Sequence, residues 1–97
     1  MEITQLLQQK RAEILAITDR HGAYNVRIFG SVARGESNPN SDIDFLVDYD
    51  LSKVSPWFPG GLLADLEELL GHKVDIVTEK GLHQLIKESV IDEAVPL

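Results

Sequence analysis

Apolar residues recur along this chain with two different periods, and the switches between them mark its elements. Ile3, Leu7, Ile14 and Ile17 fall at helical spacing, with Gln8, Gln9, Lys10 and Arg11 among the polar positions, so an amphipathic helix is expected over 3–20. Gly22 stands where a glycine ends such a helix. From Asn25 to Phe29 the pattern changes to polar–apolar alternation, which predicts a half-buried strand. Gly30 and Ser31 then turn the chain, Val32 to Arg34 offers a short helix, and Ser37-Asn38-Pro39-Asn40-Ser41 is a run of turn formers. Alternation returns from Ile43 to Tyr49, with Ile43, Phe45, Val47 and Tyr49 on one face. Residues 51–61, rich in Ser, Pro and Gly and holding Trp57 and Phe58, read as a loop. Leu62, Leu63, Leu66, Leu69 and Leu70 form a helical stripe that stops at Gly71, and Lys73 to Thr78 is a third strand. Leu82, Leu85, Ile86, Val90 and Ala94 predict a final helix, closed by Pro96.

That order, helix–strand–short helix–strand–helix–strand–helix, contains no internal repeat or low-complexity tract. It predicts one domain over residues 1–97 of α/β (α+β) class: a small mixed β-sheet with helices packed mainly on one face. The other face is left partly free for a site.

Composition narrows the function classes. A hydrophobic content of 43% argues for a packed core rather than disorder. No apolar run approaches the roughly 20 residues that span a bilayer. The polar start Met1-Glu2-Ile3-Thr4-Gln5 is no signal peptide, so a cytoplasmic location without membrane contact is expected. The absence of cysteine rules out disulfides and cysteine-based zinc sites. The formal charge is −7, and the basic residues are scattered, with Lys10-Arg11 the longest run. A phosphate-gripping surface needs clustered cations, so direct nucleic-acid binding is not expected. A basic protein partner suits such an acidic surface, and simple solubility accounts for it equally well.

The candidate chemistry is concentrated in Gly30-Ser31 and Asp42-Ile43-Asp44, separated by ten residues. Alternation along a strand points Asp42 and Asp44 the same way while Ile43 and Phe45 face the core. Two adjacent carboxylates repel, and a hard divalent cation between them is the usual remedy. A glycine lets phosphate oxygens approach the backbone, and a serine hydroxyl with the amides of a following helix can donate to them. Together these make a place for a nucleoside triphosphate and its metal. Asp75, between Val74 and Ile76, projects to the non-core face of its strand; if that strand neighbours the one carrying Asp42 and Asp44, all three carboxylates share a surface. Otherwise Asp75 is a solvated aspartate on an edge strand. Arg34 lies on the turn after Ser31, where it either reaches the phosphates or is a surface cation.

Asp48-Tyr49-Asp50 repeats the Asp-x-Asp pattern, but Asp48 lies roughly 13 Å along the strand from Asp44, too far for a metal pair. It reads as a strand end entering solvent. His21, His72 and His83 have no ligand spacing. Trp57 and Phe58 either plug the rim of the core or present a partner contact or base-stacking wall.

Gly-Ser, ten residues, Asp-x-Asp resembles the signature of the DNA polymerase β-type nucleotidyltransferases. The short chain resembles the minimal nucleotidyltransferase (MNT) family, the MntA-like antitoxins of HEPN–MNT toxin–antitoxin pairs. The likeness covers nearly the whole chain: the long motif, the Val74-Asp75-Ile76-Val77 strand and the closing Glu93-Ala94-Val95-Pro96-Leu97. It implies a polymerase β-type fold, ATP as co-substrate, and Mg²⁺, two ions, held by Asp42, Asp44 and Asp75 as catalytic carboxylates. It also implies that Gly30, Ser31 and Arg34 hold the triphosphate. The chain itself has little room for an acceptor, so another molecule must bring it, and the resemblance implies an antitoxin that transfers AMP to tyrosine hydroxyls of a HEPN RNase toxin. A binding-only antitoxin, and a transferase acting on a small molecule such as an aminoglycoside, are the alternatives. Relatives often carry Arg-Ala-Arg-Gly after Gly-Ser, whereas this chain has Val32-Ala33-Arg34-Gly35, one basic residue fewer beside the phosphates.

Overall fold

The computed structural model of the chain describes residues 2–97. Its first helical segment is two helices, α1 (Ile3–Gln9) and α2 (Arg11–Arg20), where the periodicity predicts one. Lys10 leaves helical geometry at φ −98° and ψ 7°, yet its N–H still donates to Leu6 O and its carbonyl still accepts from Ile14 N. The break is therefore a bend in a continuous hydrogen-bonded path. It lets Ile3 and Leu7 of α1 meet the same core as Ile14 of α2. Glu2 and Gln5 form a reciprocal capping box at the start of α1.

Strand β1 (Ala23–Phe29) begins two residues before the alternation shows. Its pairing slips between Tyr24 and Arg27, and Asn25 sits at φ +51°, a conformation asparagine tolerates better than most residues. This bulge breaks the alternation that would otherwise have announced the strand's start. α3 (Gly30–Ala33) comes directly after it, then β2 (Ile43–Tyr49) runs antiparallel to β1. β3 (Val74–Thr78) pairs parallel to β2, which requires a crossover. The loop after β2 and helix α4 (Gly60–Leu70) supply it. α4 ends at Gly71, in the left-handed region at φ +66°.

A short 3-10 turn (Glu79–Gly81) leads to α5 (Gln84–Glu93). After it the chain adds a strand that periodicity does not reveal, β4 (Val95–Pro96), two residues long and antiparallel to β1. Two residues are too few to show a period, and Pro96 suits an edge. The sheet order is β3-β2-β1-β4, mixed in direction. α1, α2 and α4 cover one face, where Leu62, Leu66 and Leu70 join Ile3, Leu7 and Ile14 against Ile28, Ile43, Phe45, Val47 and Val74. α5 contributes no buried residue. Among the described residues no helix is long and apolar enough to cross a membrane.

Candidate active site

The other face of the sheet carries the residues one step out of phase with the core. Register places Phe29 opposite Asp44, and Asp44 beside Asp75. Gly30, directly after Phe29, therefore lies at the end of this row, against Asp44, adjacent strands being about 5 Å apart. Asp42 stands just before β2, exposed, as is Asp75, while Asp44 is half-buried. The condition on Asp75 is met: its strand neighbours β2, and it is level with Asp44.

Any side chain at Gly30 would be strained here. Its φ is +75°, and a Cβ would fall 2.1 Å from Asp44 Oδ2. The turn backbone is pressed against the carboxylate, so the phosphate-binding and metal-binding candidates form one continuous surface.

The charge balance at Asp44 is unfavourable. Burial raises its pKa first, then the charges of Asp75, Asp42 and Glu93 raise it further, and only Arg34 opposes them. Oxygen donors crowded against their own repulsion are what a hard divalent cation relieves, so the donor set fits magnesium. The carboxylates do not close on one another: among the described residues no three His, Asp or Glu side chains are gathered into a ready-made ligand shell.

Ser31 sits half-buried on the first turn of α3. Val32 is buried in the core and serves packing. Arg34 is exposed and engaged: its Nε donates to Glu36 at 3.1 Å and its Nη1 to Glu93. Glu93 also accepts from the Gly30 N–H at 3.2 Å. The guanidinium and this amide hold the Glu93 carboxyl below its usual range. Sequence reading treats Glu93 only as part of the closing segment. It is 63 positions from Gly30, and the one local signal is a carboxylate immediately before an apolar pair.

Asp48 is not simply a strand end in water. It accepts from Arg27 Nη2 at 3.1 Å and from Asn25 Nδ2 at 2.9 Å, and Arg27 also reaches Glu79 at 3.3 Å. Arg27 thus occupies this second acidic pair with a largely buried guanidinium, which separates it from the Asp42–Asp44 surface. Asp50 instead accepts from Ser52. His21 bonds Asp65 at 2.7 Å between α2 and α4, and His83 caps α5 through Leu85 N. Phe58 packs on the core and meets Tyr49 with ring centroids 5.2 Å apart, so it plugs the rim, while Trp57 is 81% exposed.

Comparison with known proteins gives the family of the chain and of its fold. The sequence profile described as "Nucleotidyltransferase domain" matches residues 11–97. The chain belongs to the nucleotidyltransferase family. A provisionally named protein adenylyltransferase of Methanocaldococcus jannaschii is similar to this nucleotidyltransferase, 38% identical over 89 residues, covering 92% of this chain and 95% of that protein. Protein adenylyltransferase MntA of Thermococcus cleftensis is 34% identical over 95 residues, covering 97% and 91%. A solved structure described as a minimal nucleotidyltransferase superposes with a TM-score of 0.86 at 43% identity, over 100% of this chain and 97% of that one. The fold is shared at 22% identity with a chain from a crystal structure of a toxin–antitoxin with AMP-PNP, TM-score 0.72, over 92% and 70%.

Proposed function

We propose that this nucleotidyltransferase is an antitoxin that transfers AMP from ATP to a tyrosine hydroxyl of a cognate HEPN-family RNase toxin. The observation that carries the proposal is Asp44 level with Asp75 on the neighbouring strand and pressed against the Gly30 turn, with Asp42 two residues before it. The names protein adenylyltransferase, of two relatives, and toxin–antitoxin, of a chain with the same fold, support a protein acceptor within a toxin–antitoxin pair.

Gly30, Ser31 and Arg34 hold the β- and γ-phosphates by main-chain, hydroxyl and guanidinium donors. Asp42, Asp44 and Asp75 would hold two Mg²⁺ ions, which when bound neutralise the phosphates that gain charge. The tyrosine oxygen bonds to the α-phosphorus, the bond from that phosphorus to its leaving oxygen breaks, and pyrophosphate departs with the electron pair. Asp75 is exposed and level with Asp44, and takes the phenolic proton before passing it to water. Nothing in this step needs a covalent enzyme intermediate; positioning and charge carry it.

The experiment is transfer of label from α-labelled ATP to a purified HEPN-family RNase, with growth of cells expressing that RNase scored in parallel. Asp42→Asn with Asp44→Asn should lower labelling about a thousandfold or more and abolish growth protection. Protection of cells by the unreactive double variant would instead favour an antitoxin that works by covering the toxin. Labelling of an aminoglycoside in the absence of protein acceptor would favour a small-molecule substrate.

A further inference from the structure

Two of the three groups assigned above to the end phosphates, the Gly30 amide and Arg34, already hold an anion, and it belongs to the chain. The Glu93 carboxylate accepts from the Gly30 N–H through Oε2 and from the Arg34 guanidinium through Oε1. One carboxylate thus spans a main-chain donor at the turn and the cation one helical turn later, as a phosphate with two free oxygens would.

The helix that delivers Glu93 is lightly held. α5 buries no residue, and its Leu85 and Ile86 are 87% and 52% exposed. The C-terminal segment beyond α5 is firmly anchored: Val95 and Pro96 pair with β1, Leu97 N donates to Val26 O at 3.1 Å, and Leu97 O accepts from Arg11 Nε at 3.0 Å. Between helix and anchor, Ala94 is extended, at φ −65° and ψ 137°. A helix with a fixed end and no core contribution can move about that junction without disturbing α1, α2 or α4.

We propose that Glu93 is an internal stand-in for a phosphate oxygen, and that α5 is a tethered plug which the polyphosphate tail of the nucleotide displaces. It rests on the nucleotide site proposed above and adds a competitor to it. Two anions cannot share the Gly30 amide and Arg34, so binding the tail releases Glu93, and with it the last turn of α5. The triphosphate then binds more weakly than the bare donors would allow. The freed helix, with Leu85 and Ile86 on it, changes position only when nucleotide is present.

The test uses the full chain and tripolyphosphate with Mg²⁺, measured by calorimetry on wild type and Glu93→Gln. Gln keeps the shape and an acceptor for Gly30 but drops the charge that competes. Glu93→Gln should bind about five- to tenfold more tightly, the size expected for losing a partly exposed charged competitor. Hydrogen exchange over 84–93 should quicken in wild type when tripolyphosphate is added, and should be fast in the variant beforehand. If wild type binds and the variant binds equally or more weakly, the plug is wrong while the nucleotide site stands. If neither binds, both fall. Should the variant fail to fold, exchange in wild type decides alone, and an unchanged or slower rate overturns the plug.

Discussion

On one face of the sheet, β1, β2 and β3 present Ile28, Ile43, Phe45, Val47 and Val74 to three helices. On the other, one residue along in each strand, the same segments present Phe29, Asp44 and Asp75 in a row. The first face gathers side chains that gain from leaving water. The second gathers carboxylates, and burial and mutual repulsion both push Asp44 towards its protonated form. Strands can hold two such opposed surfaces because alternate residues never share a side. The core face supplies the rigidity against which the acidic face is held in an unfavourable arrangement, as sites with a task often are.

If the two faces divide stability from chemistry, substitutions should separate the same way. The largest stability loss belongs to the core face. Phe45→Ala removes a fully buried ring at the centre of the sheet and should cost about 3–5 kcal/mol, read from chemical denaturation. Gly30→Ala lies on the boundary. It forces an alanine into the left-handed region and onto Asp44 Oδ2, and should cost about 1–3 kcal/mol while displacing the carboxylate and so weakening Mg²⁺ binding. An alanine there with unchanged stability and metal affinity would mean that the turn and the carboxylate are not in contact.

The smallest shift has the opposite sign. Asp44 has a raised pKa in the fold, so the fold prefers it protonated. Its stabilising contribution is present below the unfolded-state pKa and is lost as pH rises through the folded one. Without metal, Asp44→Asn should therefore be at least as stable as wild type at pH 7, by up to about 1 kcal/mol, with the difference vanishing towards pH 3. Thermal melts across that range check it. A variant less stable than wild type at pH 7 would mean that the Asp44 carboxylate supports the fold.

Most of the acidic face was legible in the sequence because its logic is local. The Gly-Ser turn, the ten-residue gap and the alternation around Asp42, Asp44 and Asp75 each depend on positions a few residues apart, and the pairing of β2 with β3 then brings Asp75 to Asp44. Elements whose identity depends on distant partners were not. β4 is a strand only because β1 is beside it, the bend at Lys10 exists because two helices share one core, and Glu93 meets Gly30 across the whole second half of the chain. Arg27 belongs to the same group: alternation shows a polar position in β1, and only the fold shows it neutralising Asp48 and Glu79. Phe58 and Trp57 part for the same reason, since Tyr49 is placed to receive the first ring while the second stays exposed.

The central claim is that Asp42, Asp44 and Asp75 form a divalent-cation site and the neighbouring Asp48 does not. Manganese binding followed by electron paramagnetic resonance, on wild type, Asp42→Asn with Asp44→Asn, and Asp48→Asn, tests it without any toxin or nucleotide. Binding by wild type and Asp48→Asn that is lost in the double variant is the predicted result. Equal binding by the double variant, or loss in Asp48→Asn alone, would contradict it.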